Sequence, residues 1–149
     1  MKKLDKTLII GIGNNTRQDD GLGWAFLDKL EKDGYNEENL LYKYQLMVED
    51  AELISAYNTV IFVDACKIDL KDGFAIERIY PSKQVSFSTH AIPPNQVLNL
   101  CKTIYAKEPI AYIIKIKGYL WNIEIGLSDK AKLNLENAFN YFNKKVNCT

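Results

Sequence analysis

The sequence has no long apolar run and no excess of either charge. No apolar stretch approaches the roughly 20 residues that a membrane-spanning helix needs, and the stretch near the N-terminus is too short for a signal peptide. Lys plus Arg and Asp plus Glu both number 19, whereas a protein that binds nucleic acid through its phosphates normally carries a basic excess. We therefore expect a cytoplasmic protein that has neither a membrane nor a nucleic acid as its partner.

Cysteine is also scarce. Cys66, Cys101 and Cys148 are odd in number and show no CxxC spacing, so they predict reduced thiols rather than a disulfide scaffold or a structural zinc site. What is present is ordinary globular composition, since 47% of the 149 residues are apolar and 26% are charged. This length and composition predict a single domain over residues 1–149, long enough to bury a full core.

Hydrophobic patterning predicts strands and helices in the order βαβαββαβα. Thr7–Gly11 and Thr59–Ala65 are short apolar runs typical of buried strands, whereas Gly21–Asp33 carries its apolar residues at helical spacing. The other predicted elements are strands at Leu40–Met47, Phe74–Tyr80 and Ile110–Lys117, and helices at Glu49–Tyr57, at Asn95–Tyr105 and after an N-cap at Ser128.

One connection in this series indicates an antiparallel strand. The segment Cys66–Gly73 has eight residues and ends in Asp72-Gly73, a turn signal. Because a parallel crossover needs about a dozen residues or more, Phe74–Tyr80 should run antiparallel to Thr59–Ala65. The predicted fold is an α/β class three-layer α/β/α sandwich, with a five-stranded, mostly parallel sheet and one antiparallel strand.

The glycines after the first strand suggest a nucleotide site, but their spacing does not fit one. Gly11 and Gly13 begin a GxGxxG-like pattern, and the position of its third glycine is Thr16. The residues placed to open the next helix are Asp19 and Asp20, whose negative charges would repel a pyrophosphate. These two residues also have a plain interpretation, because Asp is a favoured N-cap.

Three other side chains could carry chemistry at the carboxyl ends of the strands, where sites in such sheets gather. Asp64 ends an apolar run, so it either caps a neighbouring loop through backbone N–H groups or pairs with a cation. His90, the only histidine, lies in a polar loop before Pro93-Pro94. Cys66 is close in sequence to Asp64, but only Lys67 would activate a thiol there.

One of Asp19 and Asp20, together with Asp64 and His90, forms the candidate site. Two carboxylates and one imidazole from separate loops suit a borderline divalent cation such as Ni²⁺ or Zn²⁺, with coordination positions left open. A carboxylate pair could alternatively carry out general acid–base hydrolysis without a metal. The aromatic residues Tyr119 and Trp121 are interpreted as core and edge packing.

Several short motifs together resemble the hydrogenase maturation proteases. These proteins are nickel-dependent endopeptidases that trim the C-terminus of the [NiFe] hydrogenase large subunit. The resemblance spans nearly the whole chain. The motifs that carry it are Leu8–Asn14, Arg17–Gly23, Val63–Ala65, Thr89–Ala91 with Pro94, and Gly126–Ser128.

The resemblance implies an aspartic-type, nickel-dependent endopeptidase acting on the large-subunit precursor. Asp20, Asp64 and His90 match the family's metal-engaging and catalytic residues. The nickel would come with the substrate, and Zn or Cd could substitute for it in crystals. An alternative is a non-hydrolytic metal- or metalloprotein-binding module, such as a chaperone or sensor. The segment Tyr44–Asp50 lacks the glycine and threonine found there in many members, which leaves the choice of substrate open.

Overall fold

The computed structural model describes residues 3–83 and 91–147, and its helices and strands follow the predicted order. The strands are β1 (Thr7–Ile12), β2 (Leu40–Lys43), β3 (Thr59–Cys66), β4 (Phe74–Ile79) and β5 (Ile110–Lys117). The helices are α1 (Leu22–Lys32), α2 (Asp50–Ile54), α3 (Pro94–Tyr105) and α4 (Asp129–Asn147), and short 3-10 turns lie at Gln18–Gly21 and Glu37–Asn39.

The five strands form one sheet in the order β2-β1-β3-β5-β4. All neighbouring pairs are parallel except β4 and β5. The predicted mostly parallel sheet with one antiparallel strand is confirmed. The hydrogen-bonded partner of the antiparallel strand is β5, however, and β3 lies one strand further in.

Alternation along the strands divides the core into two layers. Ile9 and Val63 pack with α1 and α4 on one face of the sheet. Ile10 and Phe62 pack with α2 and α3 on the other face. Because successive strand residues point to opposite faces, these runs build a helix–sheet–helix sandwich, which confirms the predicted fold class.

The second strand is shorter than predicted and ends at Lys43. The ladder between β1 and β2 stops at the pair Ile12 and Lys43, because β1 turns away at Gly13, whose φ of +146° is one that glycine adopts readily. After the strand, the Asp50 carboxylate accepts hydrogen bonds from the Met47 N–H and the Lys43 Nζ, both at 2.8 Å. The residues predicted to extend β2 therefore form a loop.

Helix α1 lies very close to the sheet because Gly23 faces it. A Cβ placed at Gly23 would lie 2.5 Å from the carbonyl oxygens of Ile12 and Val63. This contact sets the start of α1 against the ends of β1 and β3, where the candidate carboxylates lie. In the described part of the chain, no helix is both long and apolar enough to cross a bilayer.

Candidate functional site

A cavity of about 390 Å³ lies at the carboxyl ends of β1, β3 and β5. Asp20 comes from the 3-10 turn after β1 and Asp64 from near the end of β3, and both line this cavity. Two predicted site residues from separate segments are thus brought together. The lining is completed by Arg17, Ala65, Cys66, Lys67 and Trp121.

Asp64 is the strongly perturbed acid of the cavity. Burial, with a smaller contribution from the negative charge of Asp20, raises its pKa to about 7, and a backbone hydrogen bond from Ala65 only partly offsets these effects. If Asp64 capped a neighbouring loop, that loop would supply N–H donors, yet the backbone donor acting on the carboxylate is the next residue in its own strand. Its carboxyl group can therefore exchange a proton near neutral pH.

Asp20 is partly buried and lines the same cavity. Burial raises the pKa of its carboxyl group, and the positive charge of Arg17, a backbone hydrogen bond from Asn14 and the charge of Lys67 oppose the rise. The turn that carries Asp20 is held by hydrogen bonds from the Asp20 N–H to the Arg17 carbonyl and from the Asn14 N–H to the Asp20 carbonyl, both 3.1 Å. The acid is thus presented to the cavity from a fixed backbone.

The adjacent Asp19 has a different role. Its side chain is fully buried, and its carboxylate accepts hydrogen bonds from the N–H groups of Tyr119 (2.7 Å), Leu120 (3.0 Å) and Ser128 (2.8 Å) and from the Ser128 hydroxyl (2.7 Å). Burial alone would raise the pKa of Asp19, but these donors together hold it below its ordinary value. Asp19 therefore fastens the turn after β1 to the loop after β5.

The interpretation of Asp19 or Asp20 as the N-cap of α1 is wrong. The N-cap position is Gly21, and no side chain caps the helix there. Both carboxylates are engaged elsewhere, Asp19 with the loop after β5 and Asp20 at the cavity. The predicted cap of the last helix is confirmed, because the Ser128 Oγ accepts a hydrogen bond from the Ala131 N–H at 3.2 Å.

Gln18 adds a second connection between the same two segments. Its N–H donates to the Glu124 carbonyl at 2.8 Å, and its side-chain Oε1 accepts from the Asn122 N–H at 2.9 Å. Its φ of +47° is unusual for a residue with a side chain. Arg17 and Glu124 form a parallel β-bridge beside it. The loop after β5 is thus joined to the turn that carries Asp20.

The third predicted residue, His90, lies outside the described residues, so its proximity to the two carboxylates stays a prediction. Within residues 3–83 and 91–147, no three His, Cys, Asp or Glu side chains cluster closely enough to hold a metal ion. The geometry described here therefore consists of the Asp20 and Asp64 pair.

Sequence reasoning missed three residues that line the cavity. Arg17 lies three positions before Asp20, and Lys67 directly follows β3. Trp121 was interpreted as packing, but it forms part of the cavity wall, with the Lys67 Nζ 5.1 Å from its ring centroid. Only the placement of β5 beside β3 brings Trp121 here, and no local sequence signal indicates it.

A larger groove of about 700 Å³ lies between the β3–β4 turn and α4. Its lining is rich in amide groups, including Asn134, Asn137 and Asn140, and Asp72 is the carboxylate among the lining residues. A single carboxylate among amides does not provide paired acid–base groups. The smaller cavity is therefore the better candidate for chemistry.

The fold is that of hydrogenase maturation proteases with known structures. The E. coli hydrogenase maturating endopeptidase HybD matches 95% of this chain and 90% of its own, with a TM-score of 0.69 and 17% identity. The [NiFe] hydrogenase maturation protease HycI from Thermococcus kodakarensis matches 93% of this chain and 90% of its own, with a TM-score of 0.66 and 23% identity. An uncharacterized protein from Wolinella succinogenes matches 97% of this chain and 99% of its own, with a TM-score of 0.60 and 16% identity.

No protein-family model matches the chain, and no curated protein matches it by sequence. The likeness is thus one of structure over nearly the whole chain. The resemblance that the short motifs indicate is confirmed at the level of the fold.

Proposed function

We propose that the protein is a cytoplasmic endopeptidase that removes the C-terminal peptide of a [NiFe] hydrogenase large-subunit precursor after nickel insertion. The observation that carries the proposal is the pairing of Asp20 and Asp64 in one cavity, in a fold shared with maturation proteases. The metal-recognition set is completed by His90, as the resemblance implies.

The two carboxylates of the cavity fit a cation, whereas the positive charges of Arg17 and Lys67, which also line it, oppose one. Asp20 raises the pKa of Asp64 by charge repulsion, and a divalent ion between two such carboxylates relieves that repulsion. Carboxylate and imidazole are ligands that Ni²⁺ and Zn²⁺ accept. Asp20, Asp64 and His90 would hold the nickel carried by the substrate, and this contact would place the scissile bond in the cavity.

The carboxyl pair also supplies proton transfer. Groups with a pKa near the working pH are effective general bases and acids, and burial brings the pKa of Asp64 to about 7. When its carboxylate is not bound to the cation, Asp64 would accept a proton from the attacking water, and the proton is then available for the leaving amine. Arg17 and Lys67 favour the ionised form of Asp20 beside it.

The test is in vitro processing of nickel-loaded large-subunit precursor, followed by intact mass spectrometry. We expect wild-type protein to remove a C-terminal peptide, and Asp64→Asn, Asp20→Asn and His90→Ala to reduce the rate at least 100-fold. Asp5→Asn is the matched control, because Asp5 is exposed near the start of β1, at the opposite end of the sheet. Precursor without nickel should not be processed.

Two results would contradict the proposal. Cleavage by Asp64→Asn and His90→Ala at the wild-type rate would remove these residues from the site. Tight binding of precursor with no mass change over long incubation would instead favour the non-hydrolytic binding module, since the same carboxylate pair serves a metallated partner equally well.

A further inference from the structure

The loop after β5 presents apolar side chains to solvent beside the cavity. Ile123 and Ile125 are 83% and 84% exposed, and Leu120 is 46% exposed. We call these three residues the apolar patch. Single exposed apolar residues are normal, but a contiguous group next to a functional cavity is typical of an interaction site.

The loop that carries the patch contacts Arg17 and Gln18. Glu124 forms an isolated parallel β-bridge with Arg17. The Glu124 carboxylate accepts from the Gln18 side chain at 3.3 Å. Ile123 and Ile125 lie one on either side of Glu124 in a bent loop, and both side chains are exposed to solvent.

The patch is held firmly in place. The Asp19 carboxylate binds the Leu120 N–H at one end of the loop and Ser128 at the other end. Gln18 binds Asn122 and Glu124 between them. Because the same 3-10 turn carries Asp20, the position of the patch relative to the cavity is set by direct hydrogen bonds.

The patch adjoins a wall of the cavity. Trp121 lines the cavity and lies between Leu120 and the two isoleucines in sequence. The patch residues therefore lie within a few residues of the cavity wall, close enough for a peptide chain bound in the cavity to reach them.

We propose that the apolar patch binds an extended apolar segment of the polypeptide whose peptide bond enters the Asp20 and Asp64 cavity. This inference rests on the proposed function, and it adds the part of the protein that selects the substrate. Burial of two exposed isoleucines against apolar side chains strengthens binding, whereas the patch contributes no group to the bond-breaking step.

The experiment compares Ile123→Ser/Ile125→Ser with the matched double variant Ile104→Ser/Ile110→Ser. Ile104 and Ile110 are also exposed, at 58% and 46%, but they lie near the amino end of β5, away from the cavity. Nickel-loaded precursor is the probe, with KM and kcat measured by processing and Kd measured with the Asp64→Asn background.

We expect the patch variant to raise KM and Kd at least 10-fold while kcat changes less than 2-fold. The control variant should leave all three unchanged. Kd values are compared with that of Asp64→Asn alone, because Asp64 is itself a proposed ligand of the nickel in the precursor. Equal melting temperatures of the patch and control variants confirm that folding is not the cause.

The other outcomes separate this inference from the proposed function. Processing with an unchanged KM in the patch variant overturns the inference and leaves the protease proposal standing. Patch-dependent binding without processing supports the docking surface and overturns the protease proposal. A wild-type dimer that the patch variant converts to a monomer, with KM unchanged, identifies a second copy of this chain as the occupant and overturns the inference. Absence of both binding and processing by wild-type protein overturns both.

Discussion

Two neighbouring regions of this protein bury aspartate side chains in opposite ways. Around Asp19, three N–H groups and one hydroxyl point at the carboxylate, and its pKa falls even though burial works to raise it. Around Asp64, burial dominates, a neighbouring negative charge adds to it, and the pKa rises to about 7. Asp19 is therefore an anion whose carboxylate is fully hydrogen-bonded, whereas Asp64 is an acid whose pKa lies near neutral pH.

The difference shows that burial alone does not identify a functional carboxylate. Asp19 has no exposed surface, and its hydrogen bonds are complete, so it stabilises the fold. Asp64 lacks matching donors, and such an environment favours binding of a proton or a cation. The number of directed donors separates the structural region from the candidate site.

The largest effect should come from removing the satisfied carboxylate. Asp19→Ala leaves four donors without their partner, so we expect the free energy of unfolding to fall by about 3 kcal/mol. Because the pKa of Asp19 is lowered in the fold, its contribution is full above its ordinary value of about 4 and is lost as pH falls through the folded value. Urea denaturation at pH 7 measures the loss, with Asp5→Ala as control. A loss no larger than that of the control would contradict the structural role of the Asp19 carboxylate.

The second prediction concerns Asp64, whose ionisation lowers the stability of the fold, whereas that of Asp19 raises it. The unfolded chain releases the Asp64 proton near its ordinary pKa of 3.8, whereas the folded chain holds it to about 7. The unfolded state therefore binds fewer protons in this interval, and stability falls as pH rises from about 4 to 7.

Asp64→Asn removes this penalty in metal-free protein. We expect the free energy of unfolding at pH 8 to rise by ~2 kcal/mol. This gain is smaller than the free energy that the whole pKa difference corresponds to, because the side chain is partly exposed and solvent screens its charge. Denaturation with chelator at pH 5 and pH 8 measures the gain. A variant less stable than wild type at pH 8 would show that Asp64 is a structural anion like Asp19.

The smallest effect concerns the interaction across the cavity. Asp20→Asn should lower the pKa of Asp64, because the Asp20 charge raises it. Arg17→Gln should raise the pKa of Asp20, because the guanidinium lowers it. Carbon-13 NMR titration of the aspartate carboxyl groups measures both directions. If the pKa of Asp64 is the same in Asp20→Asn as in the wild type, the two acids do not act as a pair.

Much of the fold follows from local patterns. Apolar runs such as Thr59–Cys66 identify the buried strands, and the short connection before Phe74 requires a reversal of direction. The pairing of β4 with β5 depends on contacts distant in sequence, so the chain alone gave the direction of β4 and not its neighbour. The end of β2 at Lys43 likewise depends on where its partner β1 stops.

The candidate site also has a part that the sequence predicts and a part that only the tertiary structure determines. Asp64 is recognisable because a carboxylate at the end of an apolar run is costly unless something binds it, and Asp20 because the resemblance to the maturation proteases matches it to their first acidic residue. Asp19 is the same residue type as Asp20 and directly precedes it in sequence, and only the donors from the loop after β5 assign it a structural role. Trp121 likewise lines the cavity only because β5 is placed beside β3.

The amino-acid sequence by itself determined the layer architecture and the presence of acids at the carboxyl edge, because periodicity and charge in an apolar context act over a few residues. Tertiary structure decided which of two adjacent aspartates is satisfied and which faces the cavity with Asp64. The hydrogen-bond donors that control this outcome lie about 100 residues away in sequence. They point at Asp19 only once β5 is packed beside β3.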